Sequence, residues 1–287
     1  MLHFINIESD CSSSLSDSGS KNLKLEYERG KAADNYEQKV FVHRYVPLAS
    51  LLSSNSECDN FFMRNIEKWD DPYEERTFRI KISDKSDNSV FLHPLPGQVF
   101  GSCFTTGYNA EAQWKIYENP KSGPIVLIRI ELSALLDTLK EFDREFYVGY
   151  VSYYDQKDVN KQLSQLFEKY SSTFKAFEKG DTQNPDQIAR MLTPFFIKRQ
   201  AFSYEREIRI LTTDDSKPES GNLYIPIGNF TQLISSITLS PFTSEMWRDA
   251  QKNMLINEGF ERVNGNSLRR PIKQPSPIII NDSNSMS

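Results

Sequence analysis

The stretch Phe202-Ser-Tyr-Glu-Arg-Glu-Ile-Arg-Ile-Leu211 alternates as a β-strand does. Side chains point to opposite faces along a strand. Phe202, Tyr204, Arg206, Ile208 and Ile210 are therefore expected on one face, and Ser203, Glu205, Glu207, Arg209 and Leu211 on the other. The first face reads as core with one long cation at its edge. The second is an E-x-E-x-R row, with Glu205 and Glu207 about 6–7 Å apart by strand rise. Its plain explanation is a solvated face with surface ion pairs, which contribute little. Its functional explanation is a polar site, and Lys198 and Arg199 just upstream supply a local charge network under either reading.

Outward from this stretch, further strands are expected at Val40–Tyr45, Thr77–Ile82, Val99–Phe104, Ile125–Leu132, Tyr147–Tyr154, Leu223–Ile227 and Leu233–Leu239. Leu132, Leu135, Leu136, Leu139 and Phe142 recur at helical spacing, as do Val159, Leu163, Leu166, Phe167, Tyr170, Phe174 and Phe177 ahead of Gly180. Asn184-Pro185 is an N-cap and first-turn pair, and Ser244 caps a last helix stopped by Gly259. Strands and helices do not alternate strictly, and no glycine-rich phosphate loop follows a strand. A Rossmann or P-loop fold is thereby disfavoured. The expected class is α+β: a single mixed domain over residues 39–270, with a largely antiparallel, split sheet and flanking helices. Residues 1–38 read as a flexible polar leader and 271–287 as a disordered tail.

Composition agrees with a folded domain: 38% of the 287 residues are hydrophobic and 12% aromatic, enough for a core. A net charge of −5 does not mark a nucleic-acid or anionic-membrane binder. No apolar run approaches the ~20 residues of a membrane span, and the N-terminus lacks signal-peptide character. Three cysteines (Cys11, Cys58 and Cys103) do not form metal pairs or a disulfide framework, which points to a reducing, cytoplasmic setting.

Three further segments carry chemistry-bearing residues. Trp69-Asp-Asp-Pro-Tyr-Glu-Glu75 folds into a turn at Asp-Pro, bringing Asp70, Asp71 and Glu74 together. An Asx-type turn explains it more simply than a metal site. Val99-Phe-Gly-Ser-Cys-Phe-Thr-Thr106 is a strand whose glycine admits a close approach. A short helix with Trp114 and Tyr117 follows, as core or as a stacking wall for a flat ligand. Cys103 has no recognisable His/Asn dyad. Phe41-Val-His-Arg-Tyr-Val46 sets Phe41, His43 and Tyr45 on one strand face and Arg44 on the other.

Taken in order, these segments resemble a bacterial family of unassigned role, domain-of-unknown-function family 2971. Its pattern opens with a Y/H-R-Y strand and an L-x-x-L-L helix, here His43-Arg-Tyr and Leu48–Leu52. It continues with N/D-D-P-F/Y-E, here Asp70 to Glu74, with Asp70 where Asn is common. A C-F-T/S strand end and a W-x-x-Y helix follow, here Cys103-Phe-Thr and Trp114 to Tyr117. A K-x-x-x-F-x-x-E-x-E-x-R signature comes last, here Lys198 to Arg209.

The order of parts also resembles, more remotely, an ADP-ribosyltransferase. That resemblance implies NAD as substrate, with Arg44 or His43 at the dinucleotide and Ser102 or Thr105 supporting the nicotinamide ribose. Tyr45 or Trp114 would stack, Arg209 would complete the binding set, Glu207 would be the catalytic carboxylate and Glu205 would orient an acceptor. It further implies a toxic effector of a bacterial antiphage or toxin–antitoxin system, with a protein or nucleic-acid acceptor and a defence-system partner protein. Two other readings stand beside it: a non-catalytic binding module, and a metal-dependent phosphodiesterase or nuclease using Asp71, Glu74, Glu205 and Glu207.

Overall fold

A computed structural model describes residues 1–7, 23–32, 39–52, 60–69, 71, 73–74, 77–83, 90–118, 123–181, 184–216, 218–228 and 230–265. Its strands are β1 (Leu2–Ile5), β2 (Phe41–Pro47), β3 (Phe61–Asn65), β4 (Ile82–Ser83), β5 (Val90–Phe91), β6 (Val99–Thr105), β7 (Ile125–Glu131), β8 (Phe146–Tyr150), β9 (Ser152–Tyr154), β10 (Ile197–Arg199), β11 (Glu207–Thr213), β12 (Asn222–Ile225), β13 (Ile234–Leu239) and β14 (Val263–Asn264). Its α-helices are α1 (Leu23–Ala32), α2 (Leu48–Leu52), α3 (Glu111–Tyr117), α4 (Leu132–Lys140), α5 (Gln156–Lys169), α6 (Ser171–Glu178), α7 (Pro185–Leu192), α8 (Phe230–Leu233) and α9 (Glu245–Asn257). The class is α+β, as expected.

One sheet dominates, in the order β1-β8-β11-β6-β2-β7-β13-β14, and it forks at β6. The Thr105 end of β6 pairs with His43 of β2, whereas Gly101 and Phe100 pair with Arg64 and Asn65 of β3, which in turn pairs with β12. Between the two branches the flank of β6 around Ser102 and Cys103 has no strand neighbour among the described residues.

The two faces of the sheet differ. On one, Val42, Phe100, Phe104, Ile128, Ile130, Val148, Ile208 and Ile210 pack against Leu23 and Tyr27 of α1, four leucines of α4 and Leu255 of α9. On the other, Val99, Tyr147 and Leu211 lie under α5, α6 and α7, while Ile125 and Leu127 lie under Trp114 of α3. The strip between those two apolar covers is polar, and the register places Glu207, Thr105, His43, Arg129 and Ser236 side by side across five adjacent strands.

Gly101 explains part of this layout. A Cβ there would stand 2.5 Å from the Trp69 indole and 2.8 Å from Leu211, so only glycine lets Trp69 slide against the sheet.

Several expectations need correction. The stretch from Phe202 is not one strand: Gln200–Glu205 form a 3-10 turn, Arg206 is left-handed (φ 45, ψ 54), and β11 begins at Glu207. Alternation therefore holds from Glu207 onward and fails for Phe202 to Arg206. The Arg206 carbonyl accepts hydrogen bonds from Thr106 N–H and Thr106 Oγ1–H, at 3.0 and 3.2 Å, which ties the turn to the loop after β6. Thr77–Arg79 is a 3-10 turn rather than strand. The run through Tyr147–Tyr154 divides into β8 and β9, and β9 leaves the main sheet to pair with β10. The helix expected from Val159 to Phe177 breaks at Tyr170 into α5 and α6.

The leader is not flexible throughout: β1 runs parallel to β8, and Leu23 and Tyr27 of α1 are buried. Residues 8–22 and 33–38, like the tail 271–287, lie outside the described residues, as do Asp70, Cys11 and Cys58. Asn184 caps α7 as expected, its side chain accepting from Gln187 N–H in a capping box. Among the described residues no helix is long and apolar enough to cross a membrane.

Candidate functional site

Five charged side chains from four chain segments meet on the polar strip. Arg209 Nε donates to Glu207 Oε1 at 3.1 Å and its Nη2 to Glu207 Oε2 at 2.9 Å, while Nη2 also bonds the Glu74 carboxylate. Arg209 Nη1 donates to the Phe195 carbonyl, and the guanidinium lies 4.7 Å from the Trp69 ring centre. Lys198 Nζ binds Glu205 Oε2 at 2.6 Å and lies 3.4 Å from Glu207 Oε2 and 3.7 Å from Glu74 Oε1. Alongside, Arg199 pairs with Asp71 at 3.1 Å, and the Tyr153 hydroxyl accepts from Glu207 N–H at 2.9 Å.

Three carboxylates thus face two cations, leaving one negative charge uncompensated when all are ionised. Burial raises Glu74 and Glu205 from the ordinary carboxylate value, opposed by Arg209 and then Lys198 at Glu74 and by Lys198 at Glu205. At Glu207 burial also acts upward, but the Arg209 guanidinium and then Lys198 outweigh it and hold the carboxyl well below the usual range. Glu207 is therefore a fixed anion with both oxygens engaged. Glu205 is the looser one, held on one oxygen by Lys198 alone and flanked by the half-exposed Tyr204.

The remaining expected residues divide between the two faces. Arg44 is on the face opposite Glu207, by the alternation of β2, and fills the fork of the sheet. Its Nη1 donates to Ser102 Oγ at 2.7 Å, and its guanidinium lies 5.6 Å from both the Phe62 and the Phe104 ring centres. Arg44 has no carboxylate partner among the described residues. Desolvation lowers its pKa, while Cys103 and Tyr117, within electrostatic reach, raise it. Burial, then the Glu207 carboxylate, pushes the Cys103 thiol up, which removes any thiolate nucleophile.

Arg209, expected to bind a cofactor, is 0% exposed and serves the cluster instead. Trp114 is also 0% exposed: its Nε1 donates to Asn109 Oδ1 at 2.7 Å and its ring meets Tyr45 edge-on, so it is core and not a stacking wall. That bond holds Asn109 at φ 56, a conformation Asn tolerates better than most residues. Tyr45 stacks on Tyr117, with ring centres 5.0 Å apart at 12°, and donates to Gln113 Oε1 at 3.3 Å. A flat ligand would meet the outer face of Tyr117 and not Tyr45. Thr105 Oγ1 accepts from Gly107 N–H, which closes the turn after β6.

His43 is 4% exposed and packs 5.0 Å from the ring of the exposed Tyr108, yet among the described residues neither ring nitrogen has a hydrogen-bond partner of good geometry, the Thr105 backbone offering only a weak contact. Burial, and after it the Arg129 guanidinium, lowers its pKa to about 4 against a favourable Thr105 backbone contribution. A neutral imidazole with neither nitrogen well matched is thus set into the polar strip.

The comparisons join this geometry. Residues 113–210 match the family model of DUF2971, a protein of unknown function. No curated protein and no solved structure matches the chain. The DUF2971 span opens at Gln113 and closes at Ile210, so it contains Tyr117, the outer ring, and Lys198, Glu205, Glu207 and Arg209, four of the five members of the charged cluster. His43, Arg44, Ser102 and Glu74 precede it and are brought alongside by the sheet. The sequence joined Glu74 to Glu205 and Glu207 only in the metal-dependent reading, not as an ion-pair partner of Arg209. The signal of Glu74 was the Asp-Pro-Tyr-Glu turn, which reads most simply as an Asx-type turn.

Proposed function

We propose that the forked sheet binds NAD and supports an ADP-ribosyltransferase-like reaction in the cytoplasm. The observation that carries this reading is an acidic cluster of net charge −1 whose least engaged member is Glu205; from the opposite face of the sheet the fork holds Arg44, a cation without a carboxylate partner among the described residues. An arginine in that state suits a pyrophosphate, which it can grip with two hydrogen bonds. An uncompensated carboxylate suits the cationic character that develops on the ribose when its bond to nicotinamide breaks.

In that reaction the C1′–N bond cleaves and its electron pair leaves with neutral nicotinamide. The acceptor's lone pair forms the new bond to C1′, and the acceptor's proton passes to Glu205 or to solvent. The raised pKa of Glu205 improves it as a base. Glu207, with both oxygens held, positions Lys198 and Arg209 instead of meeting the ribose. Tyr117, 42% exposed at the outer end of its stack with Tyr45, offers a ring face for nicotinamide.

The inert-module reading draws on one observation, the mutual saturation of Glu207 and Arg209, which a purely structural cluster would also show. The phosphodiesterase reading is not favoured: Lys198 and Arg209 engage the carboxylates of Glu74, Glu205 and Glu207, and the described residues contain no group of three or more ligands arranged for a metal. The decisive experiment measures nicotinamide released from NAD by wild type and Glu205→Gln, with and without cell lysate as acceptor source. Release by wild type that falls at least a hundredfold in the variant supports the proposal. No release, together with no NAD-dependent rise in melting temperature, leaves the inert module.

A further inference from the structure

Among the described residues Lys198 is the one cation paired with Glu205, and the local fold is arranged to bring the two together. Lys198 lies on β10, in register with Tyr153 of β9. Both side chains reach the start of β11. The Tyr153 hydroxyl accepts from Glu207 N–H, and Lys198 Nζ stands 2.6 Å from Glu205 Oε2 and 3.4 Å from Glu207 Oε2. The left-handed Arg206 breaks the strand between the two glutamates, which converge on this one ammonium. The Lys198–Glu205 bond also spans the 3-10 turn from end to end, with the Phe202 ring of that turn centred 4.8 Å from Nζ.

Arg209 is occupied by Glu207, Glu74 and the Phe195 carbonyl, which leaves Glu205 to Lys198. The charged and titratable groups around Glu205 are Lys198 on β10, Glu207 and Arg209 on β11, Tyr204 on the turn, Tyr117 on α3 and Tyr153 on β9. Burial, before any charge, pushes the three phenols up and keeps them neutral. Glu207 and Arg209 act on Glu205 in opposite directions, so Lys198 is the main force that opposes burial there. We propose that Lys198 is the positioning residue of this site: its ammonium holds the Glu205 carboxylate in place and keeps it ionised as pH falls. Its part in the reaction rests on Glu205 being the base of the NAD reading, and it acts through Glu205 and not on the reacting atoms.

The test follows the Glu205 carboxyl carbon by NMR in the full chain labelled with carbon-13 at glutamate Cδ, the signal being assigned by its loss in Glu205→Gln. Lys198→Gln keeps a hydrogen-bond donor for Glu205 and removes the charge, whereas Lys198→Arg keeps the charge. Lys198→Gln is expected to raise the titration midpoint of Glu205 by at least about one pH unit, roughly tenfold in proton affinity, and Lys198→Arg to leave it within about half a unit. The acid limb of nicotinamide release is expected to move with the midpoint. An unmoved midpoint in Lys198→Gln overturns the inference. Should that variant not fold, a shift above about one unit in Lys198→Arg overturns it instead. A midpoint that moves while wild type releases no nicotinamide supports the hold of Lys198 on Glu205 and overturns the NAD reading alone. Release whose acid limb stays fixed in Lys198→Gln overturns the inference and leaves the NAD reading standing.

Discussion

Glu207 and Arg209 stand two residues apart on one face of β11, and the Arg209 guanidinium takes both oxygens of the Glu207 carboxylate. Strand alternation makes the pair adjacent, and the absence of solvent makes it consequential. At the surface such a pair is worth little. Here Arg209 is 0% exposed, and removing it strands two buried carboxylates with Lys198 as their only cation. Arg209→Met is expected to destabilise the fold by about 3–5 kcal/mol in urea denaturation. Glu207→Gln is expected to be destabilising too, and the double variant to lose less than the sum of the singles. Additive effects below about 1 kcal/mol would show that the cluster is wet.

Glu205→Gln separates chemistry from stability. Burial already disfavours the charged form of Glu205, so a neutral isostere is expected to change the unfolding free energy by no more than about 1 kcal/mol. On the proposed mechanism, nicotinamide release falls on the order of 100- to 1,000-fold. A large loss of stability with retained turnover would place Glu205 in the scaffold and not at the ribose.

Arg44→Met tests the fork. The Arg44 guanidinium lies 5.6 Å from the ring centres of both Phe62 and Phe104, and Met puts an uncharged chain against the same rings. Loss of a charge-assisted hydrogen bond to pyrophosphate is expected to weaken NAD binding by roughly 10- to 100-fold, measured by calorimetry. Nicotinamide riboside, which lacks the pyrophosphate, should bind wild type and variant alike. An equal loss for both ligands would assign Arg44 to shaping the fork and not to reading phosphate.

Much of the fold and part of the site were legible in the sequence, for local reasons. The core strands β2, β6, β7, β11 and β13 have apolar residues on one face at period two, and Asn184-Pro185 announces α7 directly. What escaped depends on contacts that no local pattern carries. The four residues of β1 are held by pairing with β8, distant in the chain. The turn at Arg206 interrupts an alternation that reads as continuous, because its carbonyl is claimed by Thr106 across the sheet. Glu74 joins Arg209 over a separation of 135 residues. Trp114 looked like a ligand platform because an aromatic pair at helical spacing is identical in sequence whether it faces a cleft or the core.

His43 and His93 are expected to add to the acid sensitivity of the fold, and they differ in one respect that an experiment can use. Both are buried with pKa lowered to about 4, burial being the main cause in each. His93 is matched as a neutral ring, its Nε2–H donating to the Met191 carbonyl and its Nδ1 accepting from Leu95 N–H. His43 has only the weak Thr105 backbone contact. A depressed folded-state pKa gives stability that is fully present above the unfolded value near 6.5 and is lost as pH falls toward 4. Between pH 7 and pH 5 a single such histidine removes about 2 kcal/mol. His43→Leu gives up no well-formed hydrogen bond among the described residues, so at pH 7 it is expected to stay within about 1 kcal/mol of wild type. Its difference in unfolding free energy between pH 7 and pH 5 is expected to shrink by about 2 kcal/mol. Urea titrations at the two pH values read this directly. A slope as steep as wild type would mean that His43 titrates near its ordinary value, and that the strip beneath Tyr108 is open to water before any ligand arrives.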